Sequence, residues 1–136
     1  MRRMIPMIVL FPLAFSLHAH AQECAPSDET QMCLNVRAEE AHKAEDAKLN
    51  KAYHEIMGRL ADSHEDKALL QAAQRAWIAF RDAECAFATN HSQDGSIYPL
   101  LLSECKAELT KARVAQLGAY LNCEEGDMSC PVPPAQ

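Results

Sequence analysis

Six cysteines carry the clearest chemical signal in this chain: Cys24, Cys33, Cys85, Cys105, Cys123 and Cys130. Thiols can close disulfides, ligate a metal or haem, or act as nucleophiles. A Cys-x-x-Cys motif, which redox sites and haem attachment use, does not occur in the sequence. An even number of cysteines in an exported chain favours disulfides instead. We therefore expect these thiols to act as structural staples.

Histidines and acids form the second set of chemically capable residues. His42 and Asp46 stand one helical turn apart, as do Asn50 and His54, and each pair is a possible two-ligand face for a metal. No third ligand follows at useful spacing, so we expect no metal and no cofactor. Serine-nucleophile motifs, phosphate-binding glycine loops and dinucleotide fingerprints are absent from the sequence. We predict a protein that is not an enzyme, with a small hydrolase or metal-binding protein using His42, Asp46 and His54 as the weakest alternative.

Three helices must position these side chains. No proline lies between Pro26 and Pro99, and good helix formers dominate that stretch. We predict helices over about residues 30–60, 63–88 and 96–121, capped by Ser27 or Thr30, by Ser63 and by Ser96. The predicted fold class is all-α: an antiparallel three-helix bundle over residues 22–123, with disulfides and an irregular, proline-containing C-terminal tail over residues 124–136.

Apolar spacing predicts which faces of the helices are buried. The core stripe of the first helix is expected to contain Leu49, Ile56 and Leu60, whereas residues 37–48 read as a solvated face projecting from the bundle. The predicted stripe of the second helix comprises Leu70, Ala73, Trp77, Phe80 and Phe87. Glu84 falls on that stripe and must reach solvent or a buried partner.

The helix layout also ranks the fifteen possible disulfide pairings. Cys85 near the end of the second helix and Cys105 near the start of the third come to similar height in an antiparallel hairpin, which makes them the first choice. Pairing Cys24 with Cys33 would hold the N-terminal arm. Pairing Cys123 with Cys130 would fold back the tail.

The first 21 residues have the form of a secretory signal peptide. Arg2 and Arg3 precede an apolar run, and the small residues around His20 predict cleavage after Ala21. Cleavage removes two arginines, so the formal net charge changes from −6 to −8. An acidic chain disfavours nucleic acid and suits a cationic partner. Because no cysteine stands at the cleavage point, we expect no stable membrane anchor and a periplasmic or secreted location.

A polar seam is predicted where the helices meet. Arg81 lies one turn from Trp77 and from Cys85, and a guanidinium beside an indole can also fork onto a carboxylate. The predicted members of this polar seam are Asp46, Asn50, Gln74, Trp77, Arg81, Glu84 and Arg113.

Three motifs in order carry a resemblance to a known family. They are Asp-x-x-Leu-Asn-x-x-Tyr from Asp46, Gln-Arg-x-Trp-x-x-Phe-Arg-Asp-x-x-Cys from Gln74, and Cys-x-x-x-Leu-Thr-x-x-Arg from Cys105. The chain from Cys24 to Leu121 resembles the LprI-type lysozyme-inhibitor family of small exported bacterial helical domains. Family members known as lipoproteins anchor through an N-terminal cysteine, and this chain departs from them there and in its Cys123 and Cys130 tail.

The resemblance implies a periplasmic or secreted inhibitor that binds a cationic lysozyme. Binding in a cleft needs a protruding element, and residues 90–96, with His91, Asp94 and Ser96, are the candidate, together with the polar half of the first helix. The competing interpretation is a non-inhibitory interaction or structural module of the cell envelope. The sequence leaves the lysozyme type and the oligomeric state open.

Overall fold

The fold is all-helical, as predicted. The computed structural model describes residues 24–124 and 126–135; the predicted signal peptide lies outside them. Helix α1 spans Gln31–Arg59, α2 spans His64–Thr89 and α3 spans Tyr98–Leu121, with one 3-10 turn, Asn90–Ser92, between α2 and α3. The three helices form an antiparallel bundle in which α3 packs along both α1 and α2. The contact between α3 and α1 is the more extensive of the two.

Side-chain caps begin two of the helices where the sequence predicts them. The Thr30 hydroxyl accepts a hydrogen bond from the Cys33 amide at the start of α1, and Ser63 accepts one from the Asp66 amide at the start of α2. The predicted Ser96 cap is wrong. Ile97 occupies the N-cap position of α3 without a side-chain hydrogen bond, and a proline in the first turn starts the helix.

The apolar core lies between α1, α3 and the tail. Leu49, Ile56, Leu60, Leu117 and Val132 are buried together. Partly buried apolar side chains surround them, including Leu70 and Trp77 from α2. The described residues of the tail have no regular secondary structure, yet the tail contributes the side chain of Val132 to the core.

Helix α2 buries a different face from the one predicted. Phe80 and Phe87 are 54% and 80% exposed, whereas Gln74, Arg81 and Cys85 are buried. The predicted apolar stripe of α2 is thus wrong in its C-terminal half, and also at Ala73, which is exposed. Polar groups dock that half onto the bundle, so the phenylalanines on the other side remain in solvent.

The polar half of α1 does not project from the bundle. Ala38 is buried, and Glu39 accepts a hydrogen bond of 3.0 Å from the Ser103 hydroxyl of α3. Small alanines allow α3 to approach closely, so this half of α1 packs despite its many charges.

Three disulfides staple the chain, and they join the pairs favoured by the helix layout. Cys85 and Cys105 connect α2 to α3 with a Cα–Cα distance of 5.7 Å. Cys24 is bonded to Cys33, and Cys123 to Cys130. No cysteine among the described residues is free.

Candidate functional site: a polar seam and an interhelical loop

Arg81 connects all three helices from a nearly buried position on α2. Only 8% of the residue is exposed. Its Nη1 lies 3.2 Å from Asp46 Oδ1 on α1 and 3.3 Å from the Thr110 hydroxyl oxygen on α3. Its Nε lies 3.0 Å from Oδ1 of neighbouring Asp82. A planar guanidinium can serve acceptors in several directions at once, which a lysine ammonium on a flexible stem cannot reproduce.

Trp77 lies between two arginines in the same seam. The Cζ atoms of Arg81 and Arg113 are 5.3 Å and 6.0 Å from its ring centroid, distances that allow cation–π attraction. Arg113 is also buried and donates a 3.2 Å hydrogen bond from Nε to Gln74 Oε1. Residues that are far apart in sequence thus form one continuous polar layer between α2 and α3.

Two predicted members of the seam lie at its margin or outside it. Asn50 is exposed, and its amide nitrogen lies 3.4 Å from Asp46 Oδ2. Glu84 is exposed and has no ion pair within the described part of the chain. The reason is the rotation of α2: Arg81 and Cys85 face inward, which turns Glu84 to solvent. Conversely, the structure adds Thr110, a wholly buried hydroxyl that sequence reasoning missed.

Opposing effects set the electrostatics of the seam. Partial burial alone would raise the pKa of the Asp82 carboxyl, but its hydrogen bond to Arg81 and the charges of Arg81 and Lys106 hold that pKa below its ordinary value of 3.8. Burial lowers the pKa of the Arg113 guanidinium. The Asp82 carboxylate is therefore stabilised in its charged form beside the two cations.

A cleft of about 440 Å³ opens between α1 and α2 next to Arg81. The polar residues of its wall are Asp46, Asn50, Gln71, Gln74, Arg75 and Arg81, and the apolar ones are Leu49, Tyr53 and Ile78. Within residues 24–124 and 126–135, no three His, Cys, Asp or Glu side chains come together as a metal site. His42, Asp46 and His54 are thus not assembled into one. The seam residues are arranged to hydrogen-bond one another.

The interhelical loop, residues 90–97, brings together the predicted binding residues. His91, Asp94 and Ser96 are all exposed. The loop is nevertheless held in shape, because Gly95 N donates to Ser92 O at 2.9 Å and Tyr98 N to Gly95 O at 3.1 Å. It is also fixed to α1, where Asn35 Nδ2 donates to Ser96 O at 3.0 Å. The outcome is an ordered polar loop at one end of the bundle.

Apolar side chains accompany this loop. Ile97, at its C-terminal edge, is 42% exposed, and Met32, near Asn35 on α1, is 48% exposed. Apolar side chains next to polar ones on an ordered surface are typical of protein-binding sites. Among the helices that the structure describes, none is both long enough and apolar enough to span a bilayer.

Comparison with known proteins identifies the family of this chain. The family model for "Lysozyme inhibitor LprI" matches residues 21–117. An uncharacterized protein of Rhizobium meliloti (strain 1021) is 35% identical over 141 residues, covering 92% of this chain and 99% of the relative. No solved structure matches the chain significantly. The family is one of inhibitor domains rather than enzymes, and both the family and the disulfides suggest an extracytoplasmic location. With its family model matched over most of its length, this protein belongs to the LprI lysozyme-inhibitor family.

Proposed function

We propose that this protein is a periplasmic or secreted inhibitor of a cationic lysozyme, released from its signal peptide after Ala21, and that it binds through the interhelical loop. Family membership is the observation that carries the proposal. The formal charge of −8 after loss of Arg2 and Arg3 supports it, because an acidic protein attracts a cationic one over long range.

The loop suits binding in an enzyme cleft on three grounds. It is already ordered, so binding does not require an extra loss of loop entropy. Asp94 supplies a negative charge for the positive surface of a lysozyme, and Ile97 supplies an exposed apolar anchor beside it. His91 supplies a ring N–H that can donate to a carboxylate, and glycosidases of this kind carry a pair of carboxyl groups in the cleft.

The buried seam supports this function indirectly. Arg81, Thr110 and the Cys85–Cys105 disulfide fix α2 against α3, and these are the two helices that the loop joins. A loop between two fixed helices keeps one shape when it meets a rigid cleft. We assign the seam residues a positioning role and the loop residues the contact with the enzyme.

The test is hydrolysis of peptidoglycan by a cationic lysozyme, measured against increasing concentrations of the mature protein at low salt. We expect inhibition that weakens as salt rises. Unchanged turnover at a large excess of protein in low salt would contradict inhibition and favour the non-inhibitory envelope module.

A charge-reversal pair locates the binding surface. Asp94→Lys in the loop should reduce the association rate and the inhibitory potency by about tenfold, since it replaces an attraction with a repulsion. Asp62→Lys is the matched control, because it changes the net charge equally at the exposed turn between α1 and α2, at the other end of the bundle. Equal loss in both variants would show that only the overall charge matters.

His91 is tested separately from charge. His91→Ala should weaken inhibition, whereas His54→Ala, at an exposed position on α1, should leave it unchanged. If inhibition persists unchanged in His91→Ala, the imidazole does not contact the enzyme.

A further inference from the structure

The side of α2 that faces away from the bundle is apolar over more than five turns. Opposite the buried residues Gln74, Arg81 and Cys85, the exposed arc from residue 68 to residue 87 contains no charged or polar side chain. Its members are Ala68, Leu69, Ala72, Ala73, Ala76, Ala79, Phe80, Ala83, Ala86 and Phe87. A helix in an ordinary monomer presents polar residues to solvent, whereas this outer face of α2 has no partner among residues 24–124 and 126–135.

The spacing on this face is that of a helix-pairing seam. Leu69, Ala73, Ala76, Phe80, Ala83 and Phe87 follow one another in steps of four, three, four, three and four. Such a repeat keeps apolar side chains on one line along a second helix. The row Ala72, Ala79 and Ala86 beside it is small enough to let two backbones approach closely.

We propose that two copies of this protein pair through the outer face of α2, with their helices antiparallel about a two-fold axis near Ala79. Antiparallel pairing about that point sets Phe80 against Ala76 of the second copy and Leu69 against Phe87 of the second copy. Each large side chain at the centre thus meets a small one. Parallel pairing would set Phe80 against Phe80 and leave gaps between the alanines.

Charge along one edge of the face fits the same arrangement. Arg75 and Asp82 are one heptad apart, and the two-fold axis brings Arg75 of each copy beside Asp82 of the other. Within the described part of its own chain, Asp82 uses only Oδ1, toward Arg81 Nε at 3.0 Å and Lys106 Nζ at 3.4 Å. The Asp82 side chain is 45% exposed, so a guanidinium from a second copy can approach it.

The available area is close to what a stable dimer needs. Leu69, Phe80 and Phe87 are 63%, 54% and 80% exposed. At the usual size of such side chains they offer roughly 400 Å², and with the alanines roughly 700 Å² per copy. Stable interfaces bury about 800 Å² per partner. A symmetric contact of the same face on both copies uses this area twice.

The oligomeric mass of the mature protein tests the proposal. Sedimentation at micromolar to 0.1 millimolar concentrations should give a dimer. Ala79→Glu should raise the dissociation constant by about 100-fold or more, because two carboxylates would be buried unpaired at the axis. The matched control is Ala47→Glu, an exposed alanine on α1 with Lys43 and Lys51 one turn away on either side, which should stay dimeric. Since Ala79 is exposed, the helical circular-dichroism spectrum of the variant should match that of the wild type.

Introduced cysteines distinguish antiparallel from parallel pairing of the two α2 helices. Ala79→Cys lies at the axis and should crosslink two copies under mild oxidation, whereas Ala72→Cys alone should not. Ala72→Cys combined with Ala86→Cys should crosslink again. Crosslinking of Ala72→Cys alone would mean parallel pairing and would overturn the arrangement.

Two further outcomes overturn the proposal outright. One is a monomeric wild type at 0.1 millimolar. The other is a dimer that Ala79→Glu leaves intact, since the pairing would then use another surface. If the wild type is monomeric and Ala79→Glu abolishes lysozyme inhibition, the outer face of α2 binds the enzyme instead of a second copy. Failure of inhibition with an intact dimer would refute the proposed function alone.

Discussion

Replacing Arg81 by alanine is the most direct perturbation of the polar seam. Arg81→Ala removes one guanidinium that serves Asp46, Asp82 and Thr110. The side chains of Asp46 and Asp82 are 43% and 45% exposed, so water replaces most of the hydrogen bonding that their carboxylates lose. The Thr110 hydroxyl is 0% exposed and would have no replacement partner.

The expected magnitude follows from that asymmetry. Leaving a buried hydroxyl unpaired costs about 1–3 kcal/mol, and losing the packed arginine stem beside Trp77 adds about 1 kcal/mol. We therefore expect Arg81→Ala to lower the free energy of unfolding by about 3 kcal/mol. Lys51→Ala, at an exposed site on α1, should change it by less than about 0.5 kcal/mol.

Denaturant unfolding at one fixed, low protein concentration measures both values without a contribution from pairing between copies. Thr110→Val completes a double-mutant cycle. In the Thr110→Val background Arg81→Ala should cost about 1–2 kcal/mol less, because no hydroxyl remains to be orphaned. Additive effects, or equal stabilities of Arg81→Ala and Lys51→Ala, would refute the buried-seam reasoning.

Further predictions concern the core, the seam carboxylate and the tail. Leu117→Ala removes a wholly buried side chain and should destabilise by about 2–5 kcal/mol in the same unfolding assay. Because the pKa of Asp82 is held below 3.8 in the folded protein, this carboxylate adds stability above pH 3.8 and loses that contribution as the pH falls through the folded pKa. The melting temperatures of wild type and Asp82→Asn should therefore begin to approach each other as the pH falls below 3.8. Replacing Cys123 and Cys130 together by serine should cost about 2 kcal/mol and make the chain around Val132 sensitive to protease, whereas unchanged digestion would show that the buried valine alone holds the tail.

Local signals in the sequence were sufficient for the N-terminal ends of α1 and α2. Thr30 and Ser63 sit where a hydroxyl can accept from the third amide of a helix, and both do so. Ser96 also carries a hydroxyl, but its backbone carbonyl accepts a hydrogen bond from the Asn35 side chain of α1, and Ile97 takes the N-cap position of α3. A tertiary contact decided that position, and no local pattern records it.

The orientation of α2 could not be read from apolar spacing. Apolar spacing predicts burial of Phe80 and Phe87, and the structure exposes both; the side of α2 that is buried is the one with Gln74 and Arg81, where the polar seam is predicted. The contacts of Arg81 with Thr110 and Asp46 outweigh burial of the two phenylalanines. These partners lie 29 and 35 residues from Arg81 in sequence and meet it only in the folded bundle. The burial of Val132 likewise depends on residues far away in sequence. The prolines around it predict only an irregular tail.

The polar side chains on the buried side of α2 determine which of its two sides faces the bundle. On hydrophobic grounds alone the side with Phe80 and Phe87 would compete for the interior. Directional contacts from Arg81, together with the bond between Cys85 and Cys105, admit a single rotation of the helix about its long axis. Weakening that selection does more than loosen one helix. We expect it to allow a flipped arrangement with Phe80 and Phe87 buried, a misfolded isomer of near-native helix content that far-ultraviolet circular dichroism alone would not detect.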